Sequence, residues 1–314
     1  MRQVGLRLLQ LVPVLFLVSV ATFSITELLP GDPVIAILGE NADPETYAAL
    51  RAELRLDEPV VQRYLDWASD AIHGDLGTSI RSHQPVTEAF RERLPVTLQL
   101  AVMATFMGLL VAIPLGAWSA YRAGKFSDRL ATTTSFALVG LPPFLMGLLL
   151  VYMFALYKQW FPVTGWVYIS ESFTGNLRHA FLPALALALT EIAIYTQLLR
   201  ADMFATLQQD YILAAKARGM PTRHVLMREA LRPSSFSLIT LAGVNLGRLI
   251  GGTVIIEALF ALPGVGRLVI QAIPQKDYPV LQGSVLILAT AYLFINTAVD
   301  LSYSFIDPRI RRGR

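Results

Sequence analysis

Six stretches of this chain are each about 20 or more residues long and almost wholly apolar, enough for a helix to cross the roughly 30 Å hydrocarbon core of a bilayer. They cover residues 8–29, 96–120, 130–157, 180–199, 236–256 and 280–306. The second and third hold no charged residue, and the others hold one each: Glu27, Glu191, Arg248 and Asp300. Backbone amides at that depth must pair within their own segment, and none of the stretches alternates as a barrel strand does. The expectation is therefore an all-α membrane protein with six transmembrane helices. Composition agrees, since 54% hydrophobic and 16% charged residues in a chain of 314 leave too little polar surface for a soluble fold. Arg2 and Arg7 precede the first stretch as in a signal peptide. The apolar run continues to Leu29 without a small-x-small cleavage site, which favours a retained span.

With six spans both ends share a side. Segments 1–7, 121–129, 200–235 and 307–314 hold 15 Lys and Arg in 60 residues, whereas 30–95, 158–179 and 257–279 hold 10 in 111. The positive-inside rule assigns the first set, with both termini, to the cytoplasm. The net charge of +3 thus marks orientation, and no nucleic-acid partner is implied. The chain divides into 1–29, a cytoplasmic N-terminus and first transmembrane helix; 30–95, an external helical cap; and 96–314, a five-helix core with a cytoplasmic loop at 200–235. Helical patterning supports the cap: Asp43-Pro44 reads as a cap and first turn, and Val61, Tyr64, Leu65, Ala68 and Ile72 recur at helical spacing. The same pattern fits a connector that merely packs on the spans.

Within the 200–235 loop, Asp210-Tyr-Ile-Leu-Ala-Ala-Lys-Ala-Arg-Gly219 makes a short helix with Tyr211, Leu213 and Ala214 apolar and Gly219 as its stop. A helix this short is marginal in water and must be held, either by its own membrane domain or by a partner protein. Ala261-Leu-Pro-Gly-Val-Gly266 and Asp277-Tyr-Pro-Val-Leu-Gln-Gly283 permit sharp turns with close backbone approach. They make Glu257, Pro263, Gly264, Gly266, Asp277, Pro279 and Gly283 candidate gate or turn residues. Pro114, Pro142 and Pro143 predict kinks in the second and third spans.

Several chemistries have no anchor in the sequence. There is no Gly-x-x-x-x-Gly-Lys-Ser/Thr phosphate loop, so nucleotide work is assigned to another chain. His73, His83, His179 and His224 lack metal-ligand spacing, cysteine is absent, and no Gly-x-Ser-x-Gly elbow occurs. No catalytic residue, metal site or cofactor is expected in this chain. Charges at depth cost about 3 kcal/mol on insertion scales, so Glu191, Arg248 and Asp300 face a pore or a partner charge. A neutralising Glu191–Arg248 pair between neighbouring spans is favoured over a proton relay.

Tyr211-Ile-Leu-Ala-Ala-Lys-Ala-Arg-Gly-Met220, followed by Arg228-Glu-Ala-Leu-Arg-Pro233, resembles the coupling-loop signature of ABC-importer membrane subunits. Leu29-Pro-Gly-Asp-Pro33, His73-Gly-Asp-Leu-Gly-Thr-Ser79, Arg93-Leu-Pro-Val-Thr-Leu98, Ile256-Glu-Ala-Leu-Phe-Ala-Leu-Pro-Gly-Val-Gly-Arg267, Asp277-Tyr-Pro-Val-Leu-Gln-Gly283 and Asp307-Pro-Arg-Ile310 resemble, in order and over essentially the whole chain, the B-type subunit of the dipeptide/oligopeptide permease family. The resemblance implies an ABC type I importer-like permease, one half of a heterodimer with a second homologous permease subunit. Two ATP-binding subunits would hold ATP and Mg, and an external solute-binding protein would deliver cargo. It assigns ATPase coupling to Tyr211, Leu213, Ala214, Ala215, Lys216, Ala217, Arg218 and Gly219. Leu213 stands where the wider signature favours glutamate, and Ser237 where the family has a late proline. Peptides are the expected cargo, with nickel or glutathione import by the same family, or a proton-coupled secondary transporter using Glu191 and Asp300, as the alternatives.

Overall fold

The computed structural model describes residues 2–28, 33–39, 43–53 and 55–306, so the motifs at 29–32 and 307–310 lie outside the described residues. Among those described there is no strand, apart from one isolated bridge between Thr78 and Pro85. Apolar runs of this length can satisfy their backbone groups only as helices.

The helices are α1 (Arg2–Leu28), α2 (Pro33–Leu38), α3 (Pro44–Glu53), α4 (Val60–Ile72), α5 (Val86–Tyr121), α6 (Phe126–Gly140), α7 (Pro143–Leu150), α8 (Phe173–Thr206), α9 (Asp210–Ala217), α10 (Thr222–His224), α11 (Leu231–Gly252), α12 (Val254–Leu259), α13 (Val265–Gln275) and α14 (Tyr278–Ile306). Wider i→i+5 turns extend α7 over Val151–Tyr157 and carry α10 into α11 over Val225–Ala230. Four of these helices are long and apolar enough to cross a membrane by length and composition, and a fifth span results if α6 and α7 with its extension count together. That pair is bent by 102°. Pro142 and Pro143 explain the bend, because proline lacks the N–H that would continue the ladder and forces the residue before it out of helical geometry.

The expected fifth span differs for a physical reason. The apolar run Val254-Ile-Ile256 breaks away into α12 after Gly251 and Gly252, while α11 instead takes in the polar Arg232, Ser234 and Ser235. The expected second span begins ten residues earlier than its apolar run, running through Pro95, and the fourth begins at Phe173, where the Ser172 side chain accepts a hydrogen bond from the Gly175 N–H at 3.1 Å.

The chain forms two compact units, residues 1–97 with 263–294 and residues 98–262 with 295–314, a division that differs from one drawn at 29 and 95. In the first, α4 docks on α1. Phe23 packs against Tyr64 and Trp67 with ring centroids 5.5 and 5.9 Å away, Ser19 bonds the Tyr64 hydroxyl at 2.9 Å, and Glu27 pairs with Arg63 at 2.8 Å. Of the five apolar residues that recur along α4, Tyr64 makes this contact while Val61, Leu65 and Ile72 stay exposed.

In the second unit, α8 is the hub, packed by α6, α7, α11 and α12. Its buried face is rich in alanine (Ala180, Ala184, Ala186, Ala188, Ala193), which lets neighbouring backbones close in. α5 approaches just as tightly. A side chain at Gly108 would meet Glu191 and Tyr195, and one at Gly116 would meet Leu199, each at 3.1 Å.

Candidate functional site

The short helix α9 keeps its shape through its end and its underside. Gly219 takes φ +74°, and behind it the Gly219 N–H donates to the Lys216 carbonyl (2.9 Å) and the Met220 N–H to the Ala215 carbonyl (3.3 Å). This is the paired closure of a Schellman motif, which satisfies carbonyls that a helix end otherwise leaves open. Asp210 in the first turn and Lys216 in the last complement the helix dipole.

Beneath it, Ile212 and Ala215 point into one continuous core. That core also holds Ala112, Ala117 and Ala120 of α5, Tyr195, Leu199 and Met203 of α8, Val225 and Ala230, and Leu238 and Ala242 of α11. This inward pair at i, i+3 seats α9 on the Val225–Ala230 segment and places it in the core that α5, α8 and α11 share. The remaining expected coupling residues, Tyr211, Leu213, Ala214, Lys216, Ala217, Arg218 and Gly219, are exposed, and Leu213 is 54% so. Ala215 is the one member of that set on the buried side, and Ile212, its inward partner, is absent from the expected set. A cleft of about 430 Å³ lined by Tyr121, Phe204, Leu207, Lys216 and Leu226 opens beside the helix.

A second constellation sits at the ends of α5, α6 and α8. The Asp128 carboxylate, 3% exposed, accepts from Arg200 Nε (2.5 Å) and Nη2 (2.8 Å), from Ser119 Oγ (2.5 Å) and from the Gly124 N–H (2.7 Å). A bidentate guanidinium, a hydroxyl and a backbone amide together fill the acceptor capacity of one buried carboxylate. Sequence reading missed this clamp. Its members lie up to 81 residues apart, and the only available signal was a charged residue at the edge of each apolar run.

The intramembrane charges expected from sequence are brought together in part. Glu191, in the middle of α8, accepts from Arg248 Nη2 of α11 at 2.7 Å and from Asn245 Nδ2, one turn earlier on α11, also at 2.7 Å. The side chain of Asp300 lies outside those described.

The turn candidates form two groups. In the first unit, Asp277 is buried and accepts from Ser79 Oγ (2.5 Å) and the Ile80 N–H (3.2 Å), joining the 277–283 motif to the 73–79 motif. Pro279 lies against Gly77, where a side chain would begin 3.4 Å from it, and a side chain on Gly283 would collide with Val86 at 2.7 Å. Gly264 precedes α13, Pro263 precedes Gly264 and Gly266 is buried on the helix, whose first amide, Val265 N–H, donates to Thr97 Oγ1 at 3.0 Å. Glu257 belongs to the second unit; it is wholly buried and accepts from Thr253 Oγ1 at 2.8 Å. Among the described residues, no group of three or more His, Asp or Glu has the arrangement of a metal site.

Residues 112–312 match the family of binding-protein-dependent transport system inner membrane components, and residues 1–101 match the N-terminal segment of the same components. The chain belongs to this family. It is an integral inner membrane protein with an all-α permease fold. A putative peptide transport system permease protein of Brucella abortus (strain 2308) is 40% identical over 305 residues, covering 97% of each chain. A probable peptide ABC transporter permease protein of Sinorhizobium fredii is 35% identical over 305 residues with the same coverage. The dipeptide transport system permease protein DppB of Escherichia coli K12 is 34% identical over 338 aligned positions, covering 100% of this chain and 98% of that one. The α9 signature falls inside the first family match, and the Ser79 end of the Ser79–Asp277 contact falls inside the second.

Proposed function

We propose that this inner membrane component is the permease subunit of an ATP-driven importer of dipeptides or oligopeptides, with α9 as the point at which ATP energy enters. The observation that carries the coupling role is the two-sidedness of α9: Ile212 and Ala215 are buried in the core shared by α5, α8 and α11, while Tyr211, Leu213 and Ala214 are on the exposed side. An apolar, outward-facing strip on an eight-residue helix is suited to a groove in another protein, and the rigid inward pair passes any movement of that groove to the long helices. The peptide cargo is supported by the names of the relatives.

In this reading the chain pairs with a second homologous permease subunit to enclose the pathway. It holds no nucleotide and performs no catalysis; two ATP-binding subunits bind ATP and Mg on the cytoplasmic side, where both termini and α9 lie, and an external solute-binding protein loads the opposite side. ATP binding supplies the differential energy between inward-open and outward-open states, since a pore cannot bias its own equilibrium. In this reading Glu191 is no proton relay, because it is already neutralised by Arg248.

The test is Leu213→Arg in the complete transporter, which puts a bulky cation where the wider signature carries a carboxylate. Leu213 is 54% exposed and is not a member of the buried core, so the permease pair is expected to purify as a single species, with loss of the ATP-binding subunits and of peptide uptake in proteoliposomes. Retention of both at normal levels would remove α9 as the contact.

A further inference from the structure

We propose that Arg248 is a binding group for the free carboxylate of the transported peptide, presented to the translocation pathway at bilayer depth. The inference rests on the peptide-importer reading and adds a site within it. Arg248 is at depth because its partner is: Glu191 lies near the midpoint of α8, a candidate span, and the two are 2.7 Å apart. Yet the two members of the pair are treated very differently. The Glu191 side chain is 1% exposed, with one oxygen held by Arg248 and the other by Asn245, so its carboxylate is not presented to the outside. The Arg248 side chain is 55% exposed, and among the described residues its hydrogen bonding is confined to the single nitrogen Nη2.

A guanidinium carries five N–H donors in a planar fork that matches a carboxylate with two parallel bonds. Donors left unused at that depth cannot face lipid tails, and so they face a polar cavity or a charged group. The ground around the fork is open. Gly251 and Gly252 follow on α11 at the helical neighbours i+3 and i+4, and nothing lies within 4 Å of where a side chain on either would begin. An extended peptide backbone can thus lie beside the guanidinium without meeting a side chain.

Glu191 has a defined part in this arrangement. It neutralises the arginine between transport events and fixes the guanidinium from the buried side, leaving the outer donors aimed away from the core. The carboxylate held in this way is contacted from one side only, which suits a site that must release its cargo. Because the contact is to a terminal group common to all peptides, it selects for a class of cargo and is indifferent to side chains.

The experiment compares uptake of radiolabelled alanyl-alanine with that of its C-terminal amide by the complete transporter in proteoliposomes. Taking the acid-to-amide ratio against wild type cancels the preference of the solute-binding protein. Glu191→Gln/Arg248→Gln removes the fork while leaving no buried charge unpaired, and it is expected to lower the ratio about tenfold, the scale of one charge-assisted hydrogen bond. Glu191→Gln alone keeps the fork and is expected to hold the ratio at or above the wild-type value. An unchanged ratio in the double variant overturns the inference, whatever happens to total uptake. Loss of the second permease subunit from the purified double variant, with the ratio unchanged in what remains, would instead assign Arg248 to subunit contact. Failure of the wild-type transporter to take up either peptide sinks the cargo reading itself, an outcome distinct from peptide uptake that ignores the carboxylate.

Discussion

Replacing Gly219 tests whether α9 works because of its backbone or because of the space around it. The residue takes φ +74°, and no atom lies within 4 Å of where a side chain would start. Bulk is therefore not excluded by this chain, but left-handed backbone is penalised in every residue with a Cβ, by about 1–2 kcal/mol for most and less for asparagine. That energy falls on the end of an eight-residue helix, where the Gly219 and Met220 N–H groups close the last turn beside the Arg218 N–H. A loss of 1–2 kcal/mol changes the ratio of closed to frayed ends by roughly 5- to 30-fold. Gly219→Ala is expected to speed amide exchange at residues 217–220 by about that factor and to lower peptide taken up per ATP hydrolysed. Gly219→Asn, although larger, is expected to stay near wild type on both measures. If alanine and asparagine are equally harmful, or if loss follows side-chain volume, the backbone argument is wrong and the glycine is conserving room for a neighbouring chain.

Asp128→Asn leaves Arg200 without its buried counter-charge, and breaking such a pair costs about 3 kcal/mol, so the purified permease is expected to unfold at lower temperature in detergent. Asp128→Asn/Arg200→Met should recover part of that loss, and no recovery would mean that Asp128 matters through Ser119 and Gly124 instead. Gly283→Val drives a side chain into Val86, 2.7 Å from its first carbon, and is expected to destabilise by about 1–3 kcal/mol in the same assay. An unaltered unfolding temperature would show that Leu76 and Val86 can withdraw at no cost.

Much of this molecule was legible in one dimension. Apolar runs of spanning length dictate helices because lipid offers no alternative partner for a buried amide, and the short Asp210–Gly219 segment announced itself by its capping chemistry. A family likeness spread over collinear motifs added the permease class. Less legible were the limits of the helices. Hydropathy cannot see that α5 begins ahead of Pro95 or that the expected fifth span breaks after Gly252, because those boundaries are set by packing and by local backbone geometry as much as by affinity for lipid.

Pairing belongs to tertiary structure alone. Nothing in the sequence distinguishes Asp128 as the carboxylate that receives Arg200 and Ser119, or Asp277 as the acceptor for Ser79 198 residues away, because contact between distant residues depends on how helices cross. The same holds for facing. Sequence named Glu191 and Arg248 together, but only the crossing of α8 and α11 decided that the carboxylate turns inward while half the arginine is left bare. Composition specifies which solvent a chain must fold in; the three-dimensional arrangement of its helices decides which few polar groups remain available for function.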